Sequence, residues 1–183
     1  VAILLPAAAT VREKEYGTIE IMLVSPLRTW EIMLAKIIPM AGISLVFTLI
    51  SVFAVLGAGF GVYPTGSLGV FLVATAIYVY ACCGLGMLLA TFAKNLSQVI
   101  LILITVFVPI VFLSGTWTPP EAMPVGLQWF TYVSPLSYYL DISTGVFFRG
   151  WGWHESLAYL AMLSLLGAIL FLVGTRRLGR QFA

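Results

Sequence analysis

Charged residues are scarce in this sequence. Lysine, arginine, aspartate and glutamate make up 9% of the 183 residues, hydrophobic residues make up 61%, and the mean hydropathy is +1.08. Soluble domains usually contain about a quarter charged residues. The composition therefore excludes an ordinary soluble domain and predicts an integral membrane protein.

Residues suited to catalysis or metal binding are equally few. The single histidine, His154, stands beside Glu155 and is more typical of a surface than of a metal site. Cys82 and Cys83 are adjacent within an apolar run and fit buried small hydrophobic residues better than metal ligands or a disulfide. The sequence also lacks a glycine-rich loop followed by Lys and Ser or Thr, so we expect no ATP hydrolysis, catalytic residue or cofactor on this chain.

Long apolar runs dominate what is present. A helix needs about 20 apolar residues to cross a bilayer. We predict an all-α integral membrane protein with four complete transmembrane helices, over residues 37–62, 68–92, 96–113 and 157–173. Residues 1–9 are too few to span and are interpreted as the end of a fifth helix, so the sequence is expected to be a fragment of a single transmembrane domain.

Polar residues inside these runs are mostly hydroxyls. Ser44, Thr48 and Ser51 recur at helical spacing and form one weakly polar stripe. Such a stripe usually faces a neighbouring helix and less often a substrate path, and both interpretations remain open. Gly57, Gly59 and Gly61 resemble a nucleotide fingerprint only superficially, because the strand and helix pattern around them is missing. Gly57 and Gly61 fit close helix packing better.

Half of the charges, eight of sixteen, lie between residues 11 and 36. Each would cost about 2.5–3.5 kcal/mol at a bilayer centre, so this stretch must lie outside the membrane. Residues 17–25 are predicted to form a short amphipathic helix that Pro26 ends, and Thr29 suits the N-cap of the next helix, with Glu31 in its first turn. From the pattern alone, an ordinary interfacial loop helix is as well supported as a docking element.

The stretch over residues 114–155 is long, aromatic and sparsely charged. A structureless loop of that length is uncommon, and the tryptophans and tyrosines suit a membrane interface. Ser134 and Pro135 suit the start of a helix of about 15 residues, which is too short to span, so we predict two re-entrant or interfacial helices on the outer face. Asp141 is interpreted either as a functional group on a substrate path, or as a helix residue that is exposed to outer water or paired with Arg149.

Charge also sets the predicted orientation. With four complete spans after the first charged cluster, eight of the nine Lys and Arg residues fall on the cytoplasmic side and Arg149 falls outside, as the positive-inside rule requires. Treating residues 135–149 as a fifth full span would place Arg176, Arg177 and Arg180 outside. We therefore reject that alternative.

Three runs of sequence, REKEYGTIEIMLVSPLRTWEIMLAK, LSGTWTPPEAMP and SPLSYYLDISTGVFFRG, resemble the membrane subunit of a type 2 ATP-binding-cassette (ABC-2) exporter. More narrowly they resemble the drug-exporter-like permeases of bacteria, and the resemblance covers nearly the whole chain in the right order. It implies six spans, a pair of re-entrant helices between the fifth and the sixth, and a cytoplasmic coupling helix that docks on the ATPase. The residues that it implies for coupling are Glu13, Glu15, Tyr16, Gly17, Thr18, Glu20 and Pro26.

The resemblance also implies partners and a cargo. The partners are an ABC ATPase subunit that binds ATP and Mg²⁺, a second permease copy or paralogue, and membrane lipids, but no nucleic acid. The cargo is a drug-like, lipid or other amphipathic substrate leaving through the bacterial cytoplasmic (inner) membrane. A secondary transporter or channel remains an alternative, although it predicts charges inside the spans, where the edge residue Lys36 is nearly alone. A membrane scaffold without transport is a third.

Overall fold

The computed structural model describes residues 2–17, 29–115 and 123–182, and every regular element in these ranges is helical. In chain order the elements are α1 (Leu4–Glu15), α2 (Thr29–Ile50), a π-helical stretch (Ser51–Gly59), α3 (Leu68–Ala90), α4 (Leu96–Leu113), α5 (Val125–Val133), α6 (Pro135–Phe148) and α7 (Trp153–Phe182). The predicted all-α fold class is confirmed.

Four helical stretches within the described residues are long and apolar enough to cross a membrane. They are Leu34–Gly59, Leu68–Ala90, Leu96–Leu113 and Trp153–Arg177. Their number agrees with the sequence prediction. Even α4, which has 18 residues, reaches about 27 Å at ~1.5 Å per residue, close to the ~30 Å of a bilayer's hydrocarbon core.

Two helices continue through charged residues at which the sequence predicts a change of structure. α1 runs past residue 9 to Glu15, so the apolar and the charged residues of this region share one helix. α7 runs past Arg176 and Arg177 and contains 30 residues. Arg, Lys and Glu are good helix formers, so a charge marks where a helix leaves apolar surroundings and does not end it.

The first complete span is not one regular α-helix. α2 passes through Pro39 and gives way to the π-helical stretch. Gly57 in that stretch lies against the ring of Tyr63, which follows shortly in the same segment. Gly61 has no atom within 4 Å of where a Cβ would stand, and its φ of +66° serves a turn of the backbone. Among the described residues, neither glycine lies at a close contact between two helices, so the predicted helix packing is not found there.

α3 is the central helix. Half of its span is buried inside the molecule, whereas less than a quarter of each span formed by α2, α4 and α7 is buried. Val70, Phe71 and Ala74 of α3 share one core cluster with Ile142 of α6 and Leu163 of α7. Lipid tails are as apolar as leucine, so the exposed surfaces of the outer helices suit a bilayer.

Backbones approach closely where α3 carries glycine. A Cβ at Gly84 would stand 3.2 Å from the backbone nitrogen of Phe171 in α7. A Cβ at Gly86 would overlap the carbonyl of Ile3, just before α1. Helices in lipid associate mainly by van der Waals packing and polar contacts, so small residues at their interfaces allow this close approach.

We expect Gly86→Val to lower the thermal stability of the detergent-solubilised protein, because the added atoms push the start of α1 away from α3. Overpacking of this kind costs about 1–3 kcal/mol. Gly42→Val is the matched control, since Gly42 lies in exposed α2 with no atom within 4 Å of its Cβ position. Size-exclusion chromatography after heating measures both midpoints, and equal midpoints would contradict the close contact between α1 and α3.

The described part of residues 114–155 contains two short helices before α7, as predicted. α5 has 9 residues and α6 has 14, so neither is long enough to cross a bilayer. α6 begins at Pro135 with Ser134 in the N-cap position, although the Ser134 side chain makes no capping hydrogen bond.

Aromatic contacts show that α6 lies antiparallel to α3. The ring of Phe147, near the end of α6, is 5.3 Å from that of Phe71, near the start of α3. The ring of Tyr139, near the start of α6, stacks at 4.5 Å on that of Tyr78, about two turns further along α3. The chain direction of α6 is therefore opposite to that of α3.

Candidate functional site

The last turn of α1 carries three consecutive charged residues, Glu13, Lys14 and Glu15, that reach three different helices. Glu13 Oε2 accepts a hydrogen bond from Lys36 Nζ of α2 and forms an ion pair with it. Only 15% of the Lys36 side chain and 24% of the Glu13 side chain are exposed. Water therefore screens the pair weakly, and removing either partner would leave the other charge poorly compensated.

Lys14 binds the end of α3. Its Nζ donates hydrogen bonds to the carbonyl of Ala90 at 2.9 Å and to that of Thr91 at 3.5 Å. The last carbonyls of a helix have no partner within it, and the negative end of the helix dipole attracts a cation. Lys14 supplies both the hydrogen-bond donor and the positive charge. Partial burial lowers the pKa of its ammonium group below the usual value.

Glu15 binds the start of α4. Its Oε1 accepts a hydrogen bond from the backbone N–H of Leu96, the first residue of α4, at 2.9 Å. The N-cap residue Asn95 satisfies a further N–H, because its side-chain oxygen accepts from Gln98 at 2.8 Å. A carboxylate at a helix N-terminus both fills an open donor and meets the positive end of the dipole.

The turn between α3 and α4 is therefore held at both ends by α1. The backbone N–H of Lys94 in this turn donates to the side-chain oxygen of Gln98 at 2.9 Å. The guanidinium of Arg177 in α7 lies 4.3 Å from the ring centre of Phe92. We call this assembly the charged junction; it consists of Glu13, Lys14, Glu15, Lys36, residues 90–96 and Arg177.

The residues that the resemblance implies for coupling fall into separate environments. Glu13 and Glu15 bind helices of their own chain, whereas Tyr16 is 79% exposed. Gly17 has a φ of +68°, the left-handed conformation that commonly ends a helix. Thr18, Glu20 and Pro26 lie outside the described residues, as does nearly all of the helix predicted over residues 17–25.

Sequence analysis does not identify Lys14, Ala90 or Leu96 as members of the site. Ala90 and Leu96 contribute a backbone carbonyl and a backbone N–H, which a residue of any type except proline would supply. Asn95 is the one signal that the sequence carries here, because it is a favourable N-cap between two apolar runs. Nothing in it indicates a partner 81 residues before Leu96.

The predicted polar stripe of the first span does not share one environment. Ser44 is buried, and its hydroxyl has no hydrogen-bond partner among the described residues. Thr48 donates to the carbonyl of Ser44 at 2.9 Å, one turn earlier in the same helix, and Ser51 is exposed. The role of Ser44, Thr48 and Ser51 in a substrate path therefore stays a prediction.

The two cysteines are free and buried, as predicted for small apolar residues. Cys82 lies with Tyr78 in the wall of a cavity of about 540 Å³ between the start of α1, α3 and α4, and the rest of that wall is apolar. Cys83 instead donates to the carbonyl of Ala2 at 3.3 Å. In the ranges that the structure describes, no group of three His, Cys, Asp or Glu residues could hold a metal ion.

Asp141 lies on α6 with an exposed side chain. Desolvation by its surroundings nevertheless raises the pKa of its carboxyl above the usual value, and Arg149 acts in the opposite direction. The predicted pairing of these two residues is not a direct ion pair, since Arg149 follows the end of α6 and lies over the ring of Trp151, 5.8 Å from its centre. Eight residues of separation correspond to about 12 Å along a helix.

Because the pKa of Asp141 is raised, the effect of this residue on the stability of the folded protein depends on pH in a known direction. Above that pKa the carboxylate is less favourable in the folded protein than in the unfolded chain, and well below both pKa values the two states are equally protonated. We expect Asp141→Asn to raise the thermal midpoint in detergent at about pH 7.5, and the gain to shrink toward about pH 4. A gain that grows on acidification would contradict the raised pKa.

Four apolar helices long enough to cross a membrane, joined at one end by a charged junction, are typical of a multi-pass membrane protein. The chain belongs to the ABC-2 type transporter family, whose model matches residues 1–148. It is 31% identical over 176 residues to the inner membrane transport permease YhhJ of Escherichia coli, covering 96% of this chain and 47% of that protein. It is 32% identical over 141 residues to the probable multidrug ABC transporter permease YbhR of E. coli, covering 75% and 37%.

A eukaryotic protein is also similar. ABC transporter G family member 20 of Dictyostelium discoideum is 22% identical over 173 residues, covering 94% of this chain and 23% of that protein. The chain thus spans less than half the length of the curated relatives it matches, and no solved structure matches it. Its apolar helices and its similarity to inner membrane permeases identify it as a multi-pass inner membrane protein.

Proposed function

We propose that this chain is part of the transmembrane permease subunit of an ATP-driven exporter. ATP and Mg²⁺ bind to a separate ATPase subunit, and residues 11–29 lie in the cytoplasm and couple that subunit to the membrane helices. The charged junction carries the proposal, because it ties the base of this segment to α2, α3 and α4. Membership of the ABC-2 family supports it.

The docking surface in this proposal begins at Tyr16. Glu13 and Glu15 are engaged within the chain, so the ATPase contacts Tyr16 and the residues after it, including Thr18, Glu20 and Pro26. Exposed aromatic side chains often anchor protein interfaces. Tyr16 is 79% exposed and stands immediately beyond the charged junction, where a bound partner could move the end of α1.

On the opposite face, α5 and α6 form a re-entrant hairpin. Tyr139, near the start of α6, stacks on Tyr78, which lies about 15 Å along α3 from its first residue. Phe147 returns to the level of Phe71, near the outer end of α3. α6 therefore starts near mid-membrane depth and rises to the outer surface without crossing.

The cargo in this proposal is a drug-like, lipid or other amphipathic molecule that leaves the cytoplasm. The name of the similar probable multidrug permease YbhR supports such a cargo. A second permease copy or a paralogue completes the membrane assembly, surrounded by lipids and without nucleic acid. Ser44, Thr48, Ser51 and Asp141 are the residues proposed for the substrate path.

Coupling to an ion gradient is less consistent with these spans. Secondary transporters usually place ionisable residues near the bilayer midplane. Here the charged residues of the spans stand at the span edges, and Lys36 is neutralised by Glu13. An ATP-driven exporter therefore fits the charge distribution better than an ion-coupled secondary transporter.

Tyr16→Ala combined with Glu20→Lys is expected to reduce the amount of ATPase subunit that co-purifies with the full-length permease. The change removes an exposed anchor and a charge, and losses at such anchors exceed about 1 kcal/mol. Tyr63→Ala is the matched control, since Tyr63 is 62% exposed beyond the far end of the π-helical stretch. Quantitative blotting of the purified complexes gives the ratio, and a ratio equal to that of the control would contradict docking at this segment.

Single cysteines test the re-entrant hairpin. With Cys82 and Cys83 replaced by alanine, Pro124→Cys and Arg149→Cys are both expected to react with an impermeant thiol reagent added to the outside of intact cells, because both flank the hairpin on its outer side. Lys94→Cys, in the turn after α3, should react only after permeabilisation. Labelling of Pro124→Cys and Arg149→Cys from opposite sides would show that the segment crosses the membrane.

A further inference from the structure

The contacts made by Lys14 and Glu15 differ in kind from the contact made by Glu13. Glu13 binds the end of the Lys36 side chain, so it reaches α2 only through a long side chain with several rotatable bonds. Lys14 and Glu15 bind backbone groups at the ends of α3 and α4. A backbone group cannot follow a moving partner unless the helix end itself moves.

α4 depends on α1 more than the other long helices do. Its buried residues are Val99 and Leu103, and both share an apolar cluster with Ala7 and Val11 of α1. Glu15, on the same helix, holds the first N–H of α4. α1 therefore sets both the lateral packing of α4 and the position of its first turn, whereas α3 is enclosed by several helices.

We infer that Glu15 is the positioning residue that passes movement of the coupling segment to α4, through the backbone N–H of Leu96. Glu13 and Lys36 form a separate route to α2. The inference rests on the proposed function, because it takes the segment after Gly17 to be the part of the chain that the ATPase moves.

Two reporter positions separate the two routes. Phe112 of α4 and Phe60, just after the π-helical stretch, are both exposed phenylalanines at the far ends of their spans. Phe112→Cys and Phe60→Cys are made singly in the full-length permease, with Cys82 and Cys83 replaced by alanine. The permease–ATPase complex is placed in nanodiscs, and the rate of labelling by a charged maleimide is measured with and without ATP and vanadate.

With Glu15 intact, trapping of the nucleotide is expected to change the labelling rate at both reporters. Glu15→Ala should abolish the change at Phe112→Cys and preserve it at Phe60→Cys. Glu15→Gln should preserve both changes, because the amide oxygen still accepts a hydrogen bond from Leu96. A general loss of stability would affect both reporters and would not produce this pattern.

Leu96→Pro tests the contact from the α4 side. It removes the N–H that Glu15 binds, while proline suits the first position of a helix. Asn95 already has a φ of −140° and a ψ of 167°, the extended conformation favoured before proline. Leu96→Pro should reproduce the effect of Glu15→Ala, and the double variant should add nothing further. Leu96→Ala, which keeps the N–H and loses the side chain, is the control.

The outcomes distinguish failure of the inference from failure of the proposed function. If Glu15→Ala keeps the nucleotide-dependent change at Phe112→Cys, or loses it equally at both reporters without rescue by Glu15→Gln, the inference is overturned. The exporter proposal then stands. If neither reporter responds to the nucleotide with Glu15 intact, the coupling function itself fails, and the inference fails with it.

Discussion

The turn between α3 and α4 presents the open carbonyls of one helix end and the open N–H groups of the next. Such groups are costly to leave unpaired at the edge of an apolar environment. Lys14 and Glu15 satisfy them from a single turn of α1, with the signs that the two helix dipoles favour. These contacts hold the end of α1 against the turn, on the side where Glu13 also reaches Lys36.

The other end of the bundle is organised by aromatic packing. Tyr139 stacks on Tyr78 at 4.5 Å, and Gly145 of α6 leaves the space that the ring of Trp151 occupies. Aromatic contacts of this kind hold α6 against α3 without ionic groups. In the proposed exporter, the end that receives the ATPase is thus joined by charge-assisted hydrogen bonds, and the outer end is closed by a packed aromatic surface.

The distribution of burial shows which helix can move at least cost. α3 contributes half of its span to the interior, whereas α4 buries only Val99 and Leu103 and its other residues are half-buried or exposed. Elements with few buried contacts are the ones that proteins use for conformational change. A weakly packed α4 whose first turn is held by Glu15 is suited to follow α1, and a bilayer or a second permease copy would cover its exposed face.

Composition and run length by themselves determined the membrane class and the number of complete spans, because the cost of burying charge and the length needed to cross are local properties. The adjacent residues Ser134 and Pro135 also predicted that α6 starts at Pro135. The continuation of α1 to Glu15 was not predictable from charge, since charge marks the membrane edge and a helix can extend beyond it. Only the tertiary structure decided that Glu15 binds Leu96, 81 residues away, because that contact depends on how α1 lies against α4 and uses a backbone N–H that no side chain identifies.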